Sequence, residues 1–131
     1  MTRRSEREWL SDIISWGERL QAHLAGIDRE TFFKNELIQD AVSKCVEALG
    51  EAAGKLDDLN PELDRIVPDL NLKLARRTRD RLSHGYYRID LALLWETVVV
   101  AIPKTVAAAK SVKTRYDGGH GARGGTSGGP P

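Results

Sequence analysis

A single cysteine, Cys45, occurs in the 131 residues, which excludes an intramolecular disulfide and any thiolate-rich metal centre. Its setting, Asp40-Ala41-Val42-Ser43-Lys44-Cys45-Val46, reads as helix, so a small apolar core residue is its expected role. Long apolar runs are missing too. The opening Met1-Thr2-Arg3-Arg4-Ser5-Glu6-Arg7-Glu8 has no signal-peptide core, no run reads as approaching membrane-spanning length, and a cytoplasmic location is expected. Strand-like alternation and internal repeats are absent, which points away from a sheet or a solenoid. There is little net charge, +1 overall, so no general attraction to polyanions follows. With 40% hydrophobic and 30% charged residues, the composition is that of a globular chain with room for one core.

What is present is helical patterning. Ser5-Glu6-Arg7-Glu8 matches a capping box, and Trp9, Ile13, Trp16, Leu20 and Leu24 recur at spacings of three and four, so the first helix should end near Gly26. The two tryptophans at that spacing read as core. Asp28 can cap a short turn through Thr31-Phe32-Phe33, whose phenylalanines close one end of the core. From about Asn35 to Asp58, Leu37, Ile38, Ala41, Val42, Cys45, Leu49, Ala52, Ala53 and Leu56 follow a helical period. Gly50 and Gly54 within it cost helix propensity, a cost that close approach of a neighbouring helix would explain. Asn60-Pro61-Glu62 opens a short helix to Ile66, and Asn71 or the residues before it open the next.

Asp90 should cap the last major helix, with Leu91, Leu94, Trp95, Val98, Val99 and Ile102 on its apolar face and an interruption at Pro103. The last fifteen residues hold seven glycines and two prolines. The expected organisation is a helical domain over residues 1–116 and a disordered tail over 117–131. The fold class is all-α, an antiparallel bundle of four to five helices.

One stretch stands apart: Arg76-Arg77-Thr78-Arg79-Asp80-Arg81-Leu82-Ser83-His84-Gly85-Tyr86-Tyr87. Between residues 71 and 84, Lys73, Arg76, Arg77, Arg79 and Arg81 face only the carboxylate of Asp80, which suggests a localised anionic partner. Gly85 suits the left-handed position past a helix end, so the helix should stop near His84. RNA can be cut without a metal if the 2′-hydroxyl is deprotonated, the leaving 5′-oxygen is protonated and the charge on phosphorus is stabilised. Histidine suits the first two tasks and arginine the third. Five residues put Arg79 and His84 about 140° apart around a straight helix, whereas Arg77, Arg81 and His84 share a face. Joint action of Arg79 and His84 therefore needs the helix to end or distort at the histidine, a wrapping arginine, or a second subunit. On the residues alone a solvated helix end is the favoured reading.

Arg79, four residues, His84, Gly85 and Tyr86 resemble the motif of the HEPN superfamily, specifically the HepT-like ribonuclease toxins encoded beside small MNT nucleotidyltransferase antitoxins. The context is similar as well: Gln39-Asp40-Ala41-Val42 and Glu47 to Ala53 upstream, Ile89-Asp90 and Leu94-Trp95 downstream, in all roughly residues 9 to 110. The resemblance implies a homodimer whose two motifs face a shared cleft, and a metal-independent endoribonuclease, without cofactor, that leaves a 2′,3′-cyclic phosphate. It implies His84 as general acid or base, Arg79 stabilising the phosphorane, and Tyr86 as acceptor of AMP from an MNT antitoxin. Arg77, Asp80 and Arg81 would support RNA binding. Two positions depart from the family pattern. Asp80 stands where asparagine is common, and Tyr87 where an aromatic without a hydroxyl is common, making it a second acceptor or a packing residue. The rival readings are a non-catalytic bundle that docks on a nucleotidyltransferase or RNA, and a purely structural helical protein.

Overall fold

A computed structural model of the chain describes residues 3–84 and 90–123. The described residues form α1 (Glu6–Leu24), α2 (Arg29–Lys34), α3 (Glu36–Leu59), α4 (Leu63–Ile66), a 3₁₀ turn (Pro68–Leu70), α5 (Leu72–Ser83), α6 (Leu91–Glu96), a π turn (Thr97–Ala101) and α7 (Ile102–Arg123). No strand occurs among them. The all-α bundle expected from the patterning is what forms, with α1, α3, α5 and the α6–α7 rod as its long members.

Local chemistry fixes most helix starts. The Ser5 hydroxyl accepts from the Glu8 amide while Glu8 accepts from the Ser5 amide, the reciprocal capping box. Asp28, Asn35 and Asp90 each accept from an amide in the first turn of α2, α3 and α6. Helix α5 opens directly after Asn71, as expected, but by a different device from the other starts. Asn71 sits in the left-handed region with φ 44° and makes no side-chain cap, and the free amides of Leu72 and Lys73 instead donate to the two oxygens of Asp64, at 2.7 and 3.1 Å. Asp64→Ala should therefore cost about 1 kcal/mol of stability, read as a lower denaturation midpoint at an unchanged denaturant slope.

The ion pairs give the orientations. Glu6 and Arg7 at the start of α1 bond Asn60 at the end of α3 and Asp117 late in α7, while Glu18 pairs with Lys110. Lys73 at the start of α5 meets Asp57, and Arg79 further along meets Glu51. For α3–α5 and α1–α7 the numbering of one helix rises as that of its neighbour falls, so these pairs are antiparallel, and the start of α1 meets the end of α3.

The core joins Leu10, Ile13 and Leu20 of α1, Phe32 of α2, Val42, Val46, Leu49 and Leu56 of α3, and Ile102 and Val106 of α7. Cys45 is buried among them and its thiol pKa is pushed up by that burial, as befits a packing residue. Trp9 and Trp16 lie at the core margin, each covered by an arginine, Arg4 and Arg19. Leu37, counted on the apolar face of α3, is instead 79% exposed.

Two expectations for the C-terminal part change. Leu91–Gly118 is long and apolar enough by length and composition to cross a membrane, although no such run was evident in the sequence, where Pro103 and three lysines break it up. Its buried residues Leu94, Val98, Ile102, Val106 and Ala109 supply one wall of the core. The π turn precedes Pro103, whose ring and missing N–H conflict with regular i to i−4 bonding. The wider turn leaves Val99 and Val100 exposed. Helix α7 then continues past Tyr116 to Arg123. Tyr116 donates to Glu6, and Asp117 holds Arg7 and Lys113. The remainder of the glycine-rich segment, 124–131, lies outside the described residues.

Candidate active site at the end of α5

Helix α5 ends where Gly85 predicts. Ser83 is its last residue and the His84 amide closes the final turn on the Arg81 carbonyl at 3.1 Å. Gly85, Tyr86 and Tyr87 lie outside the described residues, so the proposed AMP acceptor has no described position.

The basic side chains of α5 separate into two sets. Lys73, Arg76 and Arg79 face α3. Lys73 Nζ donates to Asp57 Oδ1 at 2.9 Å, and Arg76 forks onto both oxygens of Asp58 at 2.9 and 3.1 Å. The Arg76 guanidinium holds the Asp58 carboxyl below its ordinary range, and hydrogen bonds to Asp57 and Asp58 raise the pKa values of Lys73 and Arg76 respectively. Arg79 Nη2 donates to Glu51 Oε1 at 2.8 Å, and Nη1 to Asp80 Oδ1 at 3.2 Å.

Arg77 and Arg81 form the second set. They are exposed and line a cavity of about 310 Å³ between α5 and α6. Among the described residues neither has an acidic partner within ion-pair distance. The stretch that reads in sequence as one cationic patch is thus neutralised along α3 and left charged toward α6.

Asp80 joins the two proposed catalytic side chains. Its carboxylate holds Arg79, and its backbone carbonyl lies 2.7 Å from Nδ1 of His84. A carbonyl only accepts, so Nδ1 carries the proton and the lone pair of the neutral ring is on Nε2. The 140° helical offset is not removed by a shared face. Arg79 is drawn toward α3, and the histidine ring folds back along the last turn.

One contributor escaped the sequence reading, and a second was expected from it. Glu51 fixes Arg79 from another helix; it lies in the family-like stretch Glu47 to Ala53, but no local spacing marks it for that role. Gly50 lets α5 approach: a Cβ there would sit 2.4 Å from Arg79 Cβ and 2.7 Å from the Ala75 carbonyl oxygen. Its spacing of four from Gly54 was the available signal, and close helix approach was its expected reason.

A family profile described as Ribonuclease HepT-like matches residues 13–112, from the middle of α1 to the middle of α7. The chain belongs to the HepT-like ribonuclease family. Curated relatives agree. It is 31% identical over 104 residues to "Putative RNase MJ0125" of Methanocaldococcus jannaschii, covering 79% of this chain and 87% of the relative. It is 31% identical over 101 residues to "Probable ribonuclease HepT" of Thermococcus cleftensis, covering 77% of this chain and 89% of that one. No solved structure gives a match. As a HepT-like ribonuclease the chain is an endoribonuclease, and both helices that frame Arg79 and His84 fall inside the matched region.

Proposed function

We propose that this HepT-like ribonuclease is the toxin of a toxin–antitoxin pair and cuts RNA in the cytoplasm without a metal ion. The observation that carries the reading is the double use of Asp80, which ties Arg79 through its carboxylate and His84 through its carbonyl. Nε2 of the neutral His84 ring takes the proton of a ribose 2′-hydroxyl, and the 2′-oxygen attacks phosphorus. Arg79 stabilises the negative charge of the five-coordinate species. The bond to the 5′-oxygen breaks, that oxygen leaves protonated by an imidazolium, and a 2′,3′-cyclic phosphate remains. One ring cannot hold and release the proton on both sides at once, so a second His84 in a homodimer cleft is the natural source of the acid. Glu51 and Asp80 keep the Arg79 fork ordered before RNA arrives, and a phosphate would exchange for one of these carboxylates.

Regulation is assigned to Tyr86, modified with AMP by an MNT-type nucleotidyltransferase antitoxin. The added phosphate brings negative charge and bulk beside a site that receives RNA phosphate. Unmodified protein incubated with RNA and a chelator should leave 2′,3′-cyclic phosphate ends, and uniform 3′-hydroxyl ends would overturn the mechanism. Incubation with the partner and ATP should add one or more AMP groups at Tyr86 and suppress cleavage. Mass spectra showing Tyr86 unmodified while cleavage is still suppressed would remove the switching assignment.

A further inference from the structure

We propose that the cavity between α5 and α6 is a pocket for one nucleoside monophosphate unit. This deepens the ribonuclease reading and rests on it for the identity of the occupant, though not for binding itself. The cavity, about 310 Å³, lies at the small end of the range for ligand pockets. Leu74, Leu82, Leu93 and Leu94 give it apolar walls, of the kind that receives the face of an unstacked base. Arg77 and Arg81 border it, and they are the cations of α5 without an acidic partner among the described residues, whereas Lys73, Arg76 and Arg79 are all paired. Unneutralised guanidinium groups beside an apolar cavity suit an occupant with one flat apolar part and one phosphate.

Asp90 also borders the cavity. Its Oδ1 accepts from the Leu93 amide at 2.9 Å, so its place is fixed by the α6 cap. A carboxylate repels phosphate and accepts from a hydroxyl, so the phosphate belongs at the arginines and the ribose toward Asp90. Two sources present this chemistry: a nucleotide of the RNA beside the cut, and an adenylyl group carried by the protein.

The probes are 5′-AMP and inorganic phosphate, added to full-length His84→Ala protein so that no turnover intervenes, with leucine methyl resonances as the readout. AMP should shift the Leu93 and Leu94 methyls and bind more tightly than phosphate. Arg77→Gln and Arg81→Gln should each weaken AMP about tenfold, the effect of losing one charge-assisted hydrogen bond. Leu93→Asp should abolish binding. Leu93 is 41% exposed and sits in the first turn of α6, where an acidic residue is favourable, so this variant is expected to fold. Equal affinity for phosphate and AMP, unmoved methyls, or wild-type AMP binding by Leu93→Asp and Arg81→Gln together would overturn the pocket.

The source is separated in protein with His84 intact. A KM for a short RNA raised about tenfold by Leu93→Asp, with kcat little changed, assigns the pocket to the substrate. An unchanged KM with loss of the methyl shifts in adenylylated protein assigns it to the modification, and no effect on either overturns both. AMP binding that follows the variants in a protein unable to cut RNA leaves the pocket standing and removes the cleavage mechanism.

Discussion

Replacing His84 with alanine should lower RNA cleavage by about 10²- to 10⁴-fold, the range for losing a positioned general acid or base, with the fold intact. His84 is exposed at the end of α5, and its ring bonds the backbone carbonyl of Asp80 in the last turn. The helix itself is closed by the His84 backbone amide, which alanine retains. Asp80→Ala provides the contrast. It removes the carboxylate that bonds Arg79 but keeps the carbonyl that orients His84, so it should disturb the arginine alone and cost less than His84→Ala. Initial rates on a labelled RNA, with circular dichroism as the folding control, decide the matter. Wild-type rates from His84→Ala would remove the histidine from the chemistry.

Gly50→Ala should destabilise the protein and displace Arg79 together. On helix propensity alone alanine would gain up to about 1 kcal/mol over glycine. Against that, the new Cβ would lie 2.4 Å from Arg79 Cβ and 2.7 Å from the Ala75 carbonyl oxygen, both close to the backbone of α5. Neither can swing aside as a side-chain tip can, so α3 and α5 must separate, at a cost of roughly 1–3 kcal/mol typical of overpacking. Glu51 would then no longer present its carboxylate to Arg79 at 2.8 Å, and cleavage should fall as stability does. Gly54→Ala is the control. Its Cβ would meet the Arg76 Nε at 3.2 Å, a movable group, so the net change should be small. A melting temperature for Gly50→Ala at or above wild type would show that the two helices do not pack as closely as described.

Much of the fold was legible because helix signals are local. Ser5 with Glu8, Asp28, Asn35 and Asp90 each cap a turn a few residues away, and Gly85 marked the end of α5 correctly. What was not legible arises where distant contacts act. Asn71 opens α5 as expected, but Asp64 supplies the cap, because the 3₁₀ turn brings α4 back beside the first turn of α5. Leu37 fits the apolar period but lies on α3 where it stays 79% exposed. Val99 turns outward because a π turn forms ahead of Pro103, and a regular helical count does not include its extra width.

For the site, the chemistry on hand and the point where its helix stops were readable from local spacing, since arginine, histidine and glycine at those spacings act within one turn. Whether that stretch is a charged patch depends on how the helices pack. The carboxylates that neutralise Lys73 and Arg79 come from positions 16 and 28 residues away, and only the antiparallel packing of α3 against α5 brings them into range. Ion pairing acts over a few ångströms whatever the separation along the chain, so the charge left at Arg77 and Arg81 is a property of the fold.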